Sequence, residues 1–375
     1  MTQTFAFFFG GFPQLSLAEL KFLLPDLPIK LIQPKLALVS NLDFSRLEKL
    51  QLKLGGTSKI AQLISNHVDP NKLTSELQAL ITSSSAKNVA FTNYSSLNLS
   101  PDFISQLKSA IQRPVRFLSF QTKPHSLVAL RKQHVLEFNL LPVSSTNLAL
   151  AKTIWIQDSD QWVKLDRHRP YQDIKRGMLP PKVARIMINL ATQLKTDGFL
   201  GDPFCGTGTI PLEASRLGFQ VFASDLDPQA VAGTQKNLKW LLDNFPKVNS
   251  NWQLKTLDAV HLSQAVSQLD FIVTEPFMGT LLGNQLRLTP QQLKNNIKGL
   301  HKLYLGALKD WRHALNSEGR VVMIFPEFHL FNKIWKIPLI DTCENLGYNK
   351  LAQLSYSKPN AKVVRQILIL QKSDH

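Results

Sequence analysis

The sequence predicts an α/β protein, with a seven-stranded, mostly parallel sheet over residues 165–375 and a smaller α+β region before it. Three observations predict this. Apolar runs at 199–200, 219–223, 269–273 and 321–325 and an alternating run at 252–257 are separated by stretches of helical period, the pattern of strands joined by crossover helices. Two further runs, 350–356 and 363–370, flank Lys358-Pro359-Asn360 and read as a closing hairpin. Before residue 143, shorter strands and helices alternate in the same way.

The chain is organised around Gly201-Asp202-Pro203-Phe204-Cys205-Gly206-Thr207-Gly208-Thr209, between the first apolar run and a helix with Ile210, Ala214 and Leu217 on one face. Thr209 is the expected N-cap. Gly206 and Gly208 let the backbone turn tightly and lie against a ligand. The loop lacks the Lys-Ser/Thr ending of a phosphate cradle and does not fit G-x-G-x-x-G. Asp202 ahead of the glycines suits an ammonium group, and the first-turn N–H groups suit a carboxylate. S-adenosylmethionine carries both on one carbon. The alternative is a generic α/β turn in which Asp202 only caps.

The second run ends in Ser224-Asp225-Leu226-Asp227-Pro228. A carboxylate there, about 20 residues past the first loop, is where a ribose is held by its hydroxyls. Asp227 before Pro228 reads as N-cap then first helical residue, which leaves the ribose to Asp225. Asp258 closes the third run and can accept from an adenine amino group or serve as a turn residue.

The fourth run ends in Thr274-Glu275-Pro276-Phe277-Met278-Gly279. Thr274, Pro276 and Gly279 match the T-D-P-P-Y-G form of the methyltransferases that make N2-methylguanosine in tRNA. The segment Asp202-Pro203-Phe204-Cys205-Gly206-Thr207-Gly208 matches their first motif. Residues 170–185, from Pro170-Tyr171 to Ala184-Arg185, resemble the stretch before it. The chain is therefore similar to the THUMP-domain tRNA guanosine-N2 methyltransferases, closely over about 165–280 and more weakly elsewhere.

That resemblance implies a Rossmann-like class I methyltransferase domain at 165–375. Before it would come a ferredoxin-like start at 1–60, a THUMP-like RNA-binding region at 61–143 and a linker at 144–164. It implies S-adenosylmethionine as cofactor, tRNA as partner and a guanosine of the D-arm region as target. It does not determine whether a small activating subunit is needed. Residues 202–208, Asp225 and Asp258 would bind the cofactor. Glu275 and the carbonyl of Pro276 would accept the hydrogens of the amine, with Phe277 packed on the base. Glu275 stands where relatives have Asp, Phe277 replaces their second Pro, and Met278 takes the aromatic position. Another base amine, an rRNA target, or a non-catalytic RNA-binding protein are the alternative readings.

The bulk numbers agree with a polyanionic partner. The chain has 43 Lys+Arg against 27 Asp+Glu, a net charge of +16, which fits nucleic acid better than a small neutral substrate. No apolar run is long enough to span a membrane. Phe5 to Phe12 has no preceding positive charge and does not read as a signal peptide. Two cysteines make no disulfide framework and no metal spacing, and a cytoplasmic setting fits. Cys205 is not expected to be a nucleophile, since cytosine-C5 chemistry would place its cysteine beside the fourth-strand motif.

Phosphate contacts are expected at Lys108, Arg113, Arg116, Lys123, Arg131 and Lys132. A second basic stretch, Lys164 to Arg185, carries seven basic residues against two acids and is expected to help hold tRNA. The phenylalanines between Phe5 and Phe12 read as core, with a base-stacking platform as the alternative. A strand is expected at 127–130. Thr289-Pro290-Gln291-Gln292 reads as a capping box, and a helix is expected from about 331 to 346.

Overall fold

The computed structural model describes residues 2–100, 102–118, 125–144, 147–173, 178–279, 289–357 and 361–373. It divides into two compact units, one of Met1–Leu17, Leu24–Leu52 and Gly56–Gln161, the other of Ala18–Leu23, Lys53–Gly55 and Trp162–His375.

The first unit is built on one eight-stranded sheet in the order Ile29–Gln33, Leu36–Leu42, Gln3–Phe9, Thr57–Ser65, Leu148–Ile156, Leu136–Pro142, Asn88–Asn93, Arg116–Phe117. Phe5 and Phe7 are fully buried and Phe8 and Phe9 nearly so, so this run is core and not an exposed stacking platform. Thr57–Ser65 pairs antiparallel with both Gln3–Phe9 and Leu148–Ile156, so one sheet runs across the boundary expected near residue 60. The stretch expected as a linker at 144–164 holds the strand Leu148–Ile156 and the helix Ser159–Arg167. Leu127–Lys132 is a helix and not the expected strand. Its last turn carries Arg131 and Lys132, cations that suit a helix C-terminus.

The second unit contains the mostly parallel, doubly wound sheet. Its order is Trp252–Thr256, Gln220–Asp225, Phe199–Asp202, Leu269–Thr274, Leu315–Leu330, Val363–Lys372, Tyr348–Tyr356. The first five are parallel, and Val363–Lys372 runs antiparallel to both neighbours. Strands covered on both faces read as unbroken apolar runs, which is why Phe271-Ile272-Val273 and Val321–Phe325 were visible as strands; all eight of these residues are buried. An eighth strand, Lys333–Trp335, folds back onto Leu315–Leu330. It occupies part of the expected 331–346 helix. Phe331 and Asn332 take φ of 55° and 52°, the left-handed pair that closes a tight hairpin. Only Ile340–Cys343 and Glu344–Leu346 are helical there.

The long helix Pro290–Ala314 covers one face of the sheet and starts with the expected capping box, Thr289 and Gln292 each satisfying the other's backbone N–H. Leu300, Tyr304, Leu308 and Trp311 from this helix pack in one cluster with Ile272, Val321 and Met323. Strand order reverses between Phe199–Asp202 and Leu269–Thr274. In such sheets the crevice at the carboxyl ends beside this reversal is where ligands bind.

Candidate active site

The parallel register brings the ends of four strands to one edge. Ala223 lies opposite Asp202, Asp225 opposite Thr256, and Ile272 opposite Gly201. The acids that follow these positions therefore converge. They line one cavity of about 830 Å³, within the size range of small-molecule sites. Asp202, Pro203, Phe204, Cys205, Gly206, Thr207, Asp225, Asp258, Glu275, Pro276 and Phe277 all line it. Gly208 does not line the cavity; it shapes the loop behind it.

Gly208 is the N-cap of the helix Thr209–Arg216, with φ 82°, so Thr209 is the first helical residue and not the cap. A Cβ at Gly208 would come within 2.9 Å of the Thr234 side chain, so the turn needs glycine on both conformational and steric grounds. Gly206 also has positive φ, 52°. The loop is pinned from outside: Thr234 donates to the Gly206 carbonyl at 2.9 Å and Asn237 to the Thr207 carbonyl at 2.8 Å.

Asp202 is 1% exposed. Its Oδ1 accepts from Thr274 Oγ1 at 2.7 Å and from the Phe204 N–H at 3.3 Å. Burial pushes its pKa up to about 7, and the nearby charges of Asp225 and Glu275 push the same way, against the pull of Thr274. Asp225 does more than face the cavity. Its Oδ2 accepts from the Gly206 N–H at 2.9 Å and its Oδ1 from the Asp227 N–H at 3.0 Å, so it ties the first loop to the second. Asp227 caps the helix Pro228–Asn244 through the Gln229 N–H. Asp258 is both a cavity residue and a cap, accepting from the Val260 N–H at 3.1 Å. Cys205 is buried, and burial lifts its thiol well above the ordinary range, which removes the thiolate a nucleophile requires.

At the fourth strand, Phe277 is 54% exposed while Met278 beside it is buried. The buried Tyr304 hydroxyl donates to the Phe277 carbonyl at 2.7 Å and fixes the backbone that presents the ring. The residue missed from sequence is Arg365. Its Nε donates to Glu275 Oε1 at 2.9 Å, and it also lines the cavity. Burial opposes its charge, yet Glu275 and Tyr356 raise its pKa above the usual arginine value. The only sequence signal was a lone cation in the closing run Val363-Val364-Arg365-Gln366-Ile367-Leu368.

Several basic residues expected to meet RNA are engaged internally. Arg185 is buried against Glu213 at 2.6 Å. Arg169 is buried and donates to Thr209 Oγ1 at 2.7 Å. The cationic ends of Lys182 and Arg185 lie over the Trp162 ring, and Lys164 lies over Phe245. Arg113 donates to the carbonyls of Ala86 and Ile81, while Arg131 and Lys132 pair with Asp158 and Asp160. Lys108 lies over the Phe117 ring. Arg116 and Arg167 stay exposed. Lys123, Lys175, Arg176 and the turn Lys358-Pro359-Asn360 lie outside the described residues. Among the described residues, no three metal-binding side chains cluster and no helix is long and apolar enough to cross a membrane.

Comparison with known proteins finds methyltransferases among the similar sequences and folds. Residues 168–337 match the family model UPF0020, described as RMKL-like, methyltransferase domain. The tRNA (guanine(10)-N2)-dimethyltransferase of Methanocaldococcus jannaschii is 32% identical over 158 residues, 34% of this chain and 43% of that one. The tRNA (guanine(6)-N2)-methyltransferase of Thermus thermophilus is 31% identical over 157 residues, 40% of each chain. The chain thus spans less than half the length of these two curated relatives. The crystal structure of TrmN from Thermus thermophilus superimposes with a TM-score of 0.54 at 19% identity, covering 99% of this chain and 100% of that one. SMU.472 complexed with SAH gives 0.51 at 11% identity, covering 100% and 99%. These two likenesses are of fold, and the fold is the Rossmann-like one.

Proposed function

We propose that this chain is an S-adenosylmethionine-dependent methyltransferase acting on the exocyclic N2 amine of a guanosine in tRNA. The observation that carries the reading is the single cavity in which Asp202, Asp225 and Asp258 stand at three strand ends and Glu275-Pro276-Phe277 at the fourth. The curated relatives bear names of tRNA guanine-N2 enzymes, which supports the choice of base and RNA.

The residues present fit the cofactor. The buried Asp202 suits an ammonium group, the loop of Gly206 and Gly208 leads into a helix N-terminus that suits a carboxylate, and Asp225 and Asp258 suit ribose and adenine donors. When bound, S-adenosylmethionine supplies an electrophilic methyl group. The chain's own part is positioning and charge. The lone pair of a guanine amine is delocalised into the ring, so the amine must be held in line and stabilised as it pyramidalises. Glu275 and the Pro276 carbonyl accept its hydrogens. Arg365 holds Glu275 by Oε1, which fixes the direction of the carboxylate. The exposed Phe277 ring, its backbone held by Tyr304, packs against the base.

Incubation with unmodified tRNA and methyl-labelled S-adenosylmethionine tests the reading. Label should appear in tRNA. Cofactor and tRNA binding with no transfer would instead leave a non-catalytic RNA-binding protein, and transfer to rRNA alone would move the substrate class.

A further inference from the structure

The hairpin of Leu315–Leu330 and Lys333–Trp335 is left unexplained by the cavity. Thr274, the last residue of the fourth strand, is in register with Met323. Leu330 lies seven residues further on, roughly 23 Å at the rise of a strand. The hairpin tip therefore projects beyond the edge at which Glu275 stands. At that tip Phe331 takes φ 55° and is 49% exposed. Left-handed backbone disfavours any bulky side chain, and half of this one remains open to solvent. Beside it Ile334 is 51% exposed, and Lys333 and Lys362 are exposed. A cleft of about 520 Å³ lies among Phe331, Lys333, Ile334 and Lys362. Lys333 lies over the Trp335 ring. Nearby, Glu327 accepts from His329 at 2.8 Å and lies 3.8 Å from Lys336, so the acid of this region faces those two residues.

We infer that this hairpin is an RNA-engaging arm, with Phe331 stacking on an unpaired base of the substrate and Lys333 and Lys362 meeting its phosphates. An exposed ring between cations is the pairing that holds single-stranded nucleic acid. The local charge, two exposed lysines with one acid already engaged by His329 and Lys336, favours a polyanion over a protein face. The inference rests on the RNA reading above and adds to it the surface that grips the substrate away from the reacting amine.

The test uses the full chain with Phe331→Asn, Phe331→Trp and the pair Lys333→Gln/Lys362→Gln. Asn adopts left-handed backbone readily, so Phe331→Asn should melt no lower than wild type. Its affinity for unmodified tRNA should nevertheless fall about 5- to 140-fold, the range for loss of one stacked base. Phe331→Trp should restore most of it. The lysine pair should flatten the dependence of affinity on salt by roughly one to two phosphate contacts. Cofactor affinity should not change in any variant. Wild-type tRNA affinity in Phe331→Asn, in a protein that methylates tRNA, would overturn the arm and leave the activity standing. A change in self-association without a change in RNA affinity would also overturn it, in favour of a protein contact. If wild type neither binds nor methylates RNA, the activity itself is refuted and the arm falls with it.

Discussion

Arg365 and Glu275 are 90 positions apart in sequence, and the Arg365 Nε donates to Glu275 Oε1 across 2.9 Å. The carboxylate at the end of the fourth strand is thus held by a cation from the penultimate strand of the sheet. Truncating the arginine leaves the acid without its partner and free to rotate. Arg365→Met is expected to lower kcat by around 10- to 1000-fold with little change in tRNA affinity. Glu275→Gln should behave alike. The two act as one unit, so the double variant should be no slower than the slower single variant. Additive losses in single-turnover assays at saturating tRNA would show that the two residues act independently.

Asp202 gives a pH signature. Its folded pKa of about 7 stands above the ordinary 3.8 because the carboxyl is buried. Between about pH 4 and pH 7 the unfolded chain has lost this proton while the folded chain keeps it. Stability contributed here therefore falls as pH rises across that window and levels off above it. An ammonium ligand requires the ionised form, so cofactor affinity should climb from pH 5.5 to pH 7, by up to about tenfold per unit. Asp202→Asn should abolish that climb and be stabilised relative to wild type at pH 8 more than at pH 4. A flat calorimetric profile for wild type between pH 5.5 and 7 would disprove the role of Asp202 as the ammonium partner.

The loop prediction concerns Gly208. Alanine there meets both the left-handed φ of 82° and the Thr234 side chain at 2.9 Å. The expected outcome is a loss of roughly 1–3 kcal/mol in stability and weaker cofactor binding, because the loop backbone must shift. Gly206→Ala has open space around its Cβ and should cost less. Equal melting temperatures for wild type and Gly208→Ala would contradict the geometry.

Cys205 should be chemically quiet. It is buried, its thiol pKa is raised, and Thr234 is its polar neighbour at 3.7 Å. Cys205→Ala should keep methyl transfer within a few-fold of wild type. A loss of more than about 100-fold with cofactor binding intact would reopen covalent chemistry through the thiol.

Local patterns carried much of this in the sequence. Most of the parallel strands announced themselves as apolar runs, and four of the five carried at or just past their ends a residue that now faces the cavity. The Asp227-Pro228 and Thr289-Pro290 caps were legible because capping is a matter of a few adjacent residues. What failed was long-range. Arg365 reaches Glu275 only because Val363–Lys372 pairs with Leu315–Leu330, and no local signal encodes that. The basic stretch from Lys164 to Arg185 looked like an RNA face, but composition does not tell an exposed cation from one that neutralises Glu213 or lies over Trp162. The expected helix after 331 gave way because two consecutive left-handed residues turn the chain back on itself.

The most direct measurement is the identity of the methylated nucleoside. Unmodified tRNA, incubated with the chain and S-adenosylmethionine and then digested to nucleosides, should yield N2-methylguanosine by mass spectrometry, and the yield should fall sharply with Glu275→Gln. Methyl groups on adenosine or cytidine, or N2-methylguanosine formed equally well by the Glu275→Gln variant, would contradict the account.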